Sequence, residues 1–335
     1  MLRIPYPDLY EALRKAMLRL GLAEDRAALS ARLFAETTRD GVYTHGLNRF
    51  PRFASMVQNG SINVHAEPTR TAAFGAIERW DGHRGVGNLN AYVAIERTIA
   101  LAKQHGIAAV ALANTNHWMR GGTYGWFAAE AGLFAMCWSN TLPNLPAWGT
   151  AVPTVGNNPL VIAIPRPQGH IVLDMAMSQF SYGTLAAYSK RNAPLPVPGG
   201  FDAHGNLTTD AAAIEATQRA LPIGYWKGSG LSLVLDMLAA MLAGGLATHK
   251  LGSDPLREAG QSQIFLAIDP ANLAATGELT QIANSIIADL HEKTPLNPAR
   301  PLRYPGQQTL HLREENLRLG VPVDPDVWHQ INTMS

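Results

Sequence analysis

The chain has 335 residues, of which 47% are hydrophobic and 16% charged, so it can form one large or two medium domains with a sizeable core. A formal net charge of +1, without a Lys/Arg stripe, argues against a nucleic-acid partner. The small charged fraction also predicts that another subunit covers part of the surface.

The number of cysteines and the length of the apolar runs indicate the cellular location. The single cysteine, Cys137, lies in an apolar run, where we expect a small core residue. One cysteine excludes an intrachain disulfide and fits a reducing compartment. The N-terminal residues lack the apolar core of a signal peptide, and no run approaches the ~18 apolar residues of a membrane span. We therefore expect a cytoplasmic chain with no membrane partner.

Two helices are predicted at the N-terminus, at residues 7–21 and 24–38, from apolar residues at helical spacing. Beyond residue 60, short apolar runs that predict strands alternate with segments of helical spacing. This alternation favours an α/β sheet domain. The predicted strands cover 69–74, 77–82, 107–113, 133–139, 161–164, 171–174 and 263–268. The predicted helices between and after them cover 89–105, 123–131, 228–246, 271–292 and 310–319, and 192–210 is predicted as a long surface loop.

Several common site motifs are missing from the sequence. There is no G-x-G-x-x-G, no G-x-x-x-x-G-K-[ST], no H-E-x-x-H and no G-x-S-x-G. A Rossmann dinucleotide site, a P-loop, a zinc protease and a hydrolase triad are therefore unsupported. We predict no metal site, and proton or hydride chemistry remains.

Residues 40–53 contain an imidazole, His45, followed by a guanidinium four residues later, Arg49. An imidazole can pass a proton near neutral pH, and a guanidinium can bind a carboxylate with two hydrogen bonds. The alternative is a surface segment whose His and Arg have no chemical role.

Other polar groups follow predicted strands or open a predicted helix. His117 comes after the strand at 107–113, at an edge where ligands of α/β sheets bind, or it is a surface histidine. Asp174 could accept ribose hydroxyls or cap a helix, and Lys227 could hold a phosphate at a helix start or be structural. Asp202 could orient a catalytic imidazole or form an Asx-turn.

Taken together, these groups resemble the malate/L-lactate dehydrogenases of the second type, over nearly the whole chain. The matching motifs are Thr44-His-Gly with Arg49, Asn116-His117, 139–141, 156–159, 174–178 and 227–230. The resemblance implies a mixed-sheet α/β fold with a non-Rossmann NAD(P)-binding domain and a helical domain built from both chain termini. It places the helical part at 1–75, the cofactor-binding domain at 76–250, and a last strand with returning helices at 251–335. It also implies a homodimer.

The same resemblance implies the roles of the site residues. His45 would donate a proton to the substrate carbonyl, Arg49 would bind the carboxylate, and His117 would line the pocket. From the sequence alone, and not from the resemblance, Asp202 is grouped with these residues as an acid that would orient the imidazole, with the Asx-turn as its alternative. The cofactor, NADH with NADPH as the alternative, would contact His170, Ile171, Val172, Leu173, Asp174, Met175, Ala176, Trp226, Lys227, Gly306, Gln307 and Gln308.

The implied substrate is a small 2-oxo acid. Segments 41–53, 116–122, 178–183, 224–230 and 262–265 resemble the subgroup that reduces the sugar acid 2,3-diketo-L-gulonate to 3-keto-L-gulonate. Malate, lactate, ureidoglycolate or a cyclic imine carboxylate would suit the same His-plus-Arg pair. A sugar-acid binding protein without turnover is a further alternative. Gln307 stands where the family often has Glu, so the cofactor preference stays open.

Overall fold

The computed structural model describes residues 2–273, 275 and 277–334. Its helices are α1 (Tyr6–Arg19), α2 (Glu24–Arg39), α3 (Phe50–Gln58), α4 (Gly87–His105), α5 (Gly122–Glu130), α6 (Tyr182–Lys190), α7 (Ala211–Thr217), α8 (Trp226–Ala243), α9 (Glu278–Glu292), α10 (Gln307–Leu319) and α11 (Pro325–Thr333). Its strands are β1 (Leu2–Ile4), β2 (Thr69–Phe74), β3 (Ile77–Asp81), β4 (Ile107–Thr115), β5 (Phe134–Ser139), β6 (Pro143–Pro146), β7 (Pro153–Gly156), β8 (Leu160–Ile164), β9 (Ile171–Met175), β10 (Gly200–Phe201), β11 (Leu207–Thr208), β12 (Gln261–Ile268) and β13 (Val321–Val323).

A mixed sheet of seven strands organises the middle of the chain, in the order β2-β3-β4-β12-β5-β8-β9. β3 and β4 run parallel, and the other neighbours in this sheet are antiparallel. Helices α4 and α5 pack on one face through Ile95 and Tyr124, and α8 packs on the other through Leu235 and Ala239. Burial of both faces explains why residues 107–113 of β4 and 264–268 of β12 are continuously apolar.

A helical lobe lies beside the sheet and is built from both ends of the chain. Its core joins α1, α2 and α3 to residues of β13 and α11, including Leu13, Phe34, Phe50 and Ile331. β1 pairs antiparallel with β13, with Leu2 opposite Val323, so the two termini meet. The mixed α/β fold with terminal helices is therefore confirmed.

Some predicted elements differ from the structure. The strand predicted at 69–74 is present as β2, but it pairs with β3 in the sheet and so lies outside the helical part, to which the predicted boundary at residue 75 assigns it. The predicted loop at 192–210 contains the short β10–β11 hairpin. Helix α9, predicted to cover 271–292, begins at Glu278. The hairpin β6–β7 and helices α3, α6, α7 and α11 were not predicted.

Helix α8 is more apolar than the sequence analysis suggested. It is 18 residues long, and by length and composition alone it could cross a membrane. A core helix of a globular domain passes the same test. The side chains of Val234, Met237, Leu238 and Met241 are exposed on this chain, so α8 presents an apolar surface on the side away from the sheet.

Candidate functional site

His45 ends the first of two short 3₁₀ turns that join α2 to α3. The turns cover Tyr43–His45 and Leu47–Arg49, with Gly46 between them. A side chain at Gly46 would collide with Thr38 of α2, whose hydroxyl accepts a hydrogen bond from the Leu47 N–H at 2.8 Å. The glycine therefore lets the segment lie against α2 and fixes where His45 projects.

His45 and His117 form a stacked pair. Their ring centroids are 5.8 Å apart and the ring planes differ by 23°. The His117 Nδ1 accepts a hydrogen bond from the Met119 N–H at 3.0 Å, so neutral His117 carries its proton on Nε2. The Thr44 hydroxyl lies 3.0 Å from the His45 Nδ1. Both rings thus have one nitrogen engaged by the protein and one left for a ligand.

The loop that carries His117 is anchored to neighbouring elements. The Asn116 amide donates to the carbonyls of Arg84 and Gly85, at 2.7 and 2.8 Å. The buried Gln263 of β12 donates to the Asn116 carbonyl at 3.0 Å. Since these groups belong to the sheet and its nearest turn, His117 is presented by a rigid support.

Arg49 points to the same region and is held by an acid that the sequence analysis missed. Its Nη2 donates to the Oε2 of Glu258 at 2.9 Å, and Arg52 donates to the same oxygen at 2.8 Å. The Arg49 side chain keeps 17% of its exposed area. Glu258 is 209 residues from Arg49 along the chain, so no local pattern could reveal the pair.

Burial and nearby positive charge lower the pKa of both histidines. Desolvation, then Arg49 and Arg120, lower the pKa of His45 to about 4. Desolvation, Arg49, His45 and Arg52 lower the pKa of His117 well below its usual value. Both imidazoles are therefore neutral near pH 7 in the free protein.

Arg120 and Asp40 form a second buried group that the sequence analysis did not single out. The Arg120 Nη1 donates to the Asp40 Oδ2 at 2.8 Å, and Arg313 binds both oxygens of Asp40 at 2.8 and 2.9 Å. Burial alone would raise the pKa of Asp40, but Arg313, Arg120 and Arg39 hold it below its usual value. The Arg120 Nε is buried and has no partner among the described residues. Asp40 thus joins α2 to α10 and to the His117 loop.

The structure brings the two predicted cofactor segments at residues 170–176 and 306–308 together. β9 is an edge strand of the sheet, and its Val172 N–H donates to the Pro305 carbonyl at 3.0 Å. Gly306 has φ +96°, and a side chain there would lie 3.1 Å from the backbone of His170 and Val172. The glycine permits this close approach. Gln307 and Gln308 open α10 directly after it.

Asp174 lies at the end of β9, next to the start of a helix. Its Oδ2 accepts the Gly122 N–H at the start of α5, at 2.8 Å. This contact caps α5, which precedes β9 in the chain, and not the next helix, α6. Oδ1 has no protein partner recorded among the described residues.

Trp226 and Lys227 open α8, and the Ile223 N–H donates to the Met177 carbonyl just beyond β9. Tyr225 precedes them in a strained backbone conformation, with φ 62°. The side chains of Trp226 and Lys227 are exposed.

Asp202 lies in an exposed turn between β10 and β11. Its side chain accepts hydrogen bonds from the N–H groups of His204 and Asn206, at 2.9 and 2.8 Å. This geometry matches the Asx-turn alternative, and its recorded side-chain partners all lie within residues 202–206. Within the described ranges, no three His, Cys, Asp or Glu side chains come together in a way that could hold a metal ion.

Comparison with known proteins adds an independent observation. A family model described as malate/L-lactate dehydrogenase matches residues 4–332. The chain belongs to the malate/L-lactate dehydrogenase family. It is therefore an oxidoreductase.

Similar proteins cover the chain from end to end. The 2,3-diketo-L-gulonate reductases of Citrobacter koseri and Klebsiella pneumoniae are each 44% identical over 337 residues, which is 99% of this chain and 100% of theirs. The crystal structure of delta1-piperideine-2-carboxylate reductase from Pseudomonas syringae has a TM-score of 0.89 and 26% identity, and each chain is covered completely. The fold and the family are therefore established over the full length.

Proposed function

We propose that this protein reduces 2,3-diketo-L-gulonate to 3-keto-L-gulonate with a nicotinamide cofactor. The observation that carries the proposal is the stacked His45–His117 pair beside Arg49, in a chain 44% identical to enzymes named for that reaction. A 2-oxo acid needs one group for its carboxylate and one for its carbonyl oxygen, and this site offers both.

Arg49 would bind the substrate carboxylate. Its Nη2 is engaged by Glu258, and the remaining guanidinium donors can face a ligand because part of the side chain is exposed. Fixing the acid end would hold the 2-carbon at a constant distance from the imidazole pair.

His45 would donate the proton to the carbonyl oxygen as hydride reaches the 2-carbon. Its pKa of about 4 in the free protein results from burial and from Arg49 and Arg120. A bound carboxylate would offset the charge of Arg49 and raise the pKa of His45 in the complex. The Nε2–H of neutral His117 would stabilise the same oxygen through a hydrogen bond.

The nicotinamide cofactor, NADH or NADPH, would supply the hydride when bound. The residues that would hold it are the edge strand β9, the loop ending at Gly306 and the start of α8. The glycine that lets the backbone approach, the exposed Lys227 cation and the free Oδ1 of Asp174 fit a ligand with phosphates and ribose hydroxyls.

A homodimer is part of the proposal. The apolar surface of α8 is continuous over several turns, and exposed patches of this kind mark protein–protein interfaces. Because α8 begins at Trp226 and Lys227, a partner subunit on α8 would lie next to the cofactor residues. A reducing, cytoplasmic location fits the single cysteine, Cys137, which is buried.

The test is a reductase assay with purified protein. Loss of nicotinamide absorbance is followed with NADH and with NADPH against 2,3-diketo-L-gulonate, pyruvate, oxaloacetate and delta1-piperideine-2-carboxylate. We expect the highest kcat/KM with 2,3-diketo-L-gulonate. A higher value with any other acid, or no oxidation with any of them, would overturn the proposal.

A further inference from the structure

Glu258 is a buried carboxylate that binds Arg49 and Arg52, and these three side chains form the substrate clamp. The Glu258 side chain keeps 5% of its exposed area. Oε2 accepts from Arg49 at 2.9 Å and from Arg52 at 2.8 Å, and Oε1 accepts from the Gln261 amide at 2.6 Å. Both oxygens are therefore satisfied, and the carboxylate is fixed in one orientation.

The contact between Arg49 and Glu258 connects the helical lobe to the sheet. Arg49 and Arg52 belong to the end of the second 3₁₀ turn and to α3, in the helical lobe. Glu258 follows a 3₁₀ turn at Pro255–Arg257 and leads into β12, a strand near the centre of the sheet. The Asn59 amide donates to the Leu256 carbonyl at 2.7 Å, so the contact is repeated nearby. The orientation of Arg49 thus depends on Glu258, which lies just before a central strand of the sheet.

Glu258 also sets the charge of the clamp. Two guanidiniums and one carboxylate leave a net charge of +1. Burial and the neighbouring Arg49 lower the pKa of Arg52 to about 10, so Arg52 remains charged near pH 7. One positive charge matches a ligand with a single carboxylate. A neutral residue in place of Glu258 would leave two positive charges, which would favour a dianion.

We propose that Glu258 is a positioning residue that orients Arg49 and sets the clamp for substrates with one carboxylate. The inference rests on the proposed function, because it takes Arg49 as the group that binds the substrate. It explains how a sugar acid with one carboxylate would be preferred over a 2-oxo dicarboxylate in a family that also includes malate dehydrogenases.

The experiment separates charge from position with two variants. Glu258→Gln keeps the shape of the side chain and removes its charge. Glu258→Asp keeps the charge, but its shorter side chain places the carboxylate farther from the guanidiniums. The probes are oxamate and oxalate, which have nearly the same shape and carry one and two negative charges. Their dissociation constants are measured by titration calorimetry for each protein, at low and high salt.

We expect Glu258→Gln to raise the affinity of oxalate relative to oxamate by about tenfold, the size expected for removing one nearby charge in a partly wet site. This change should shrink at high salt. Glu258→Asp should leave the oxalate-to-oxamate ratio within about threefold of the wild-type ratio, while weakening both ligands because Arg49 is less well held. An unchanged ratio in Glu258→Gln, or the same ratio change in both variants, would overturn the proposal.

Glu78 provides a matched control. It is a buried glutamate that also accepts hydrogen bonds from two guanidiniums, those of Arg70 and Arg97, outside the candidate site. Glu78→Gln should lower the thermal stability and leave the oxalate-to-oxamate ratio unchanged. The oxalate-to-oxamate ratio is measured without turnover. A protein that is inactive on 2,3-diketo-L-gulonate would therefore refute the proposed function, and the ratio would still decide the role of Glu258. A wild-type protein that binds neither probe would refute the clamp itself.

Discussion

His45 is subject to two opposing requirements. A proton donor must be protonated when the substrate is bound, yet desolvation and two guanidiniums lower its pKa to about 4 in the free protein. The same Arg49 that depresses this pKa is the group proposed to receive the substrate carboxylate. Binding and protonation would therefore be coupled: the correct anion would bring the conditions under which the imidazole takes up its proton.

Replacement of His45 tests its role directly. We expect His45→Ala to lower kcat by about 10²–10⁴-fold, the usual contribution of a positioned general acid. The dissociation constant of NADH, measured by fluorescence titration, should stay within about twofold of wild type if the cofactor is held elsewhere. A near-normal kcat would assign the proton to another group, with His117 as the first candidate.

The pH dependence of the reaction follows from the sign of the pKa shift. Reduction needs protonated His45, and kcat/KM reports the free protein, so kcat/KM should fall about tenfold per pH unit above pH 4. The kcat profile reports the complex and should show a higher pKa, because the bound carboxylate offsets Arg49. Rates measured from pH 5 to 9 check both statements. A kcat/KM that is flat across this range would contradict the assignment of the acid.

Arg49 can be tested by a change that keeps its charge. Arg49→Lys should raise KM for the 2-oxo acid by about 10- to 100-fold, because an ammonium cannot bind Glu258 and a carboxylate in the same forked geometry. The change in kcat should be smaller. Arg14→Lys, at a surface ion pair with Glu11 on α1, is the control and should leave both constants unchanged. Equal losses in kcat and kcat/KM would mean that Arg49 acts in the transition state only.

At the scale of elements, α8 has two different faces. One face packs on the sheet through Leu235 and Ala239, and the other exposes Val234, Leu238 and Met241. Such a helix is hydrophobic nearly all round, and in water its second face requires a cover. A second copy of the chain is the proposed cover.

A charged residue in the exposed face of α8 should prevent this association. We expect Met241→Glu, whose native side chain is 73% exposed, to convert a dimer into a monomer in light scattering after size-exclusion chromatography. Leu296→Glu, at a similarly exposed apolar position outside α8, is the control and should leave the mass unchanged. A monomeric wild type would contradict the homodimer, and a variant that stays dimeric would place the interface elsewhere.

Sequence patterns predicted the elements that depend on local spacing. The strands at 107–115 and 134–139 are short apolar runs, and the first two helices carry apolar residues on one face, so periodicity is enough to find them. The sheet order could not be predicted in this way. β12 lies between β4 and β5, although it comes more than a hundred residues after both.

The candidate site likewise contains residues that local spacing indicates and residues that only the fold brings together. His45 and Arg49 are four residues apart, and His117 follows an apparent strand, so local reasoning found them. Glu258 and the pairing of Asp40 with Arg120 depend on contacts between residues far apart in sequence, which a single sequence does not reveal. The exposed turn at Asp202 shows the converse: this acid lies two residues from a histidine in sequence, yet its side chain accepts hydrogen bonds from the local backbone.

At the scale of the whole molecule, the pairing of β1 with β13 fixes an order of events during synthesis. Leu2 can pair with Val323 only after nearly the entire chain has left the ribosome. Asp40, close to His45 in sequence, likewise waits for Arg313. The segment that presents the proposed proton donor is thus among the first to be made and among the last to be finished. A nascent or C-terminally truncated chain that ends before Arg313 would contain all seven strands of the sheet but would lack the contact of Arg313 with Asp40.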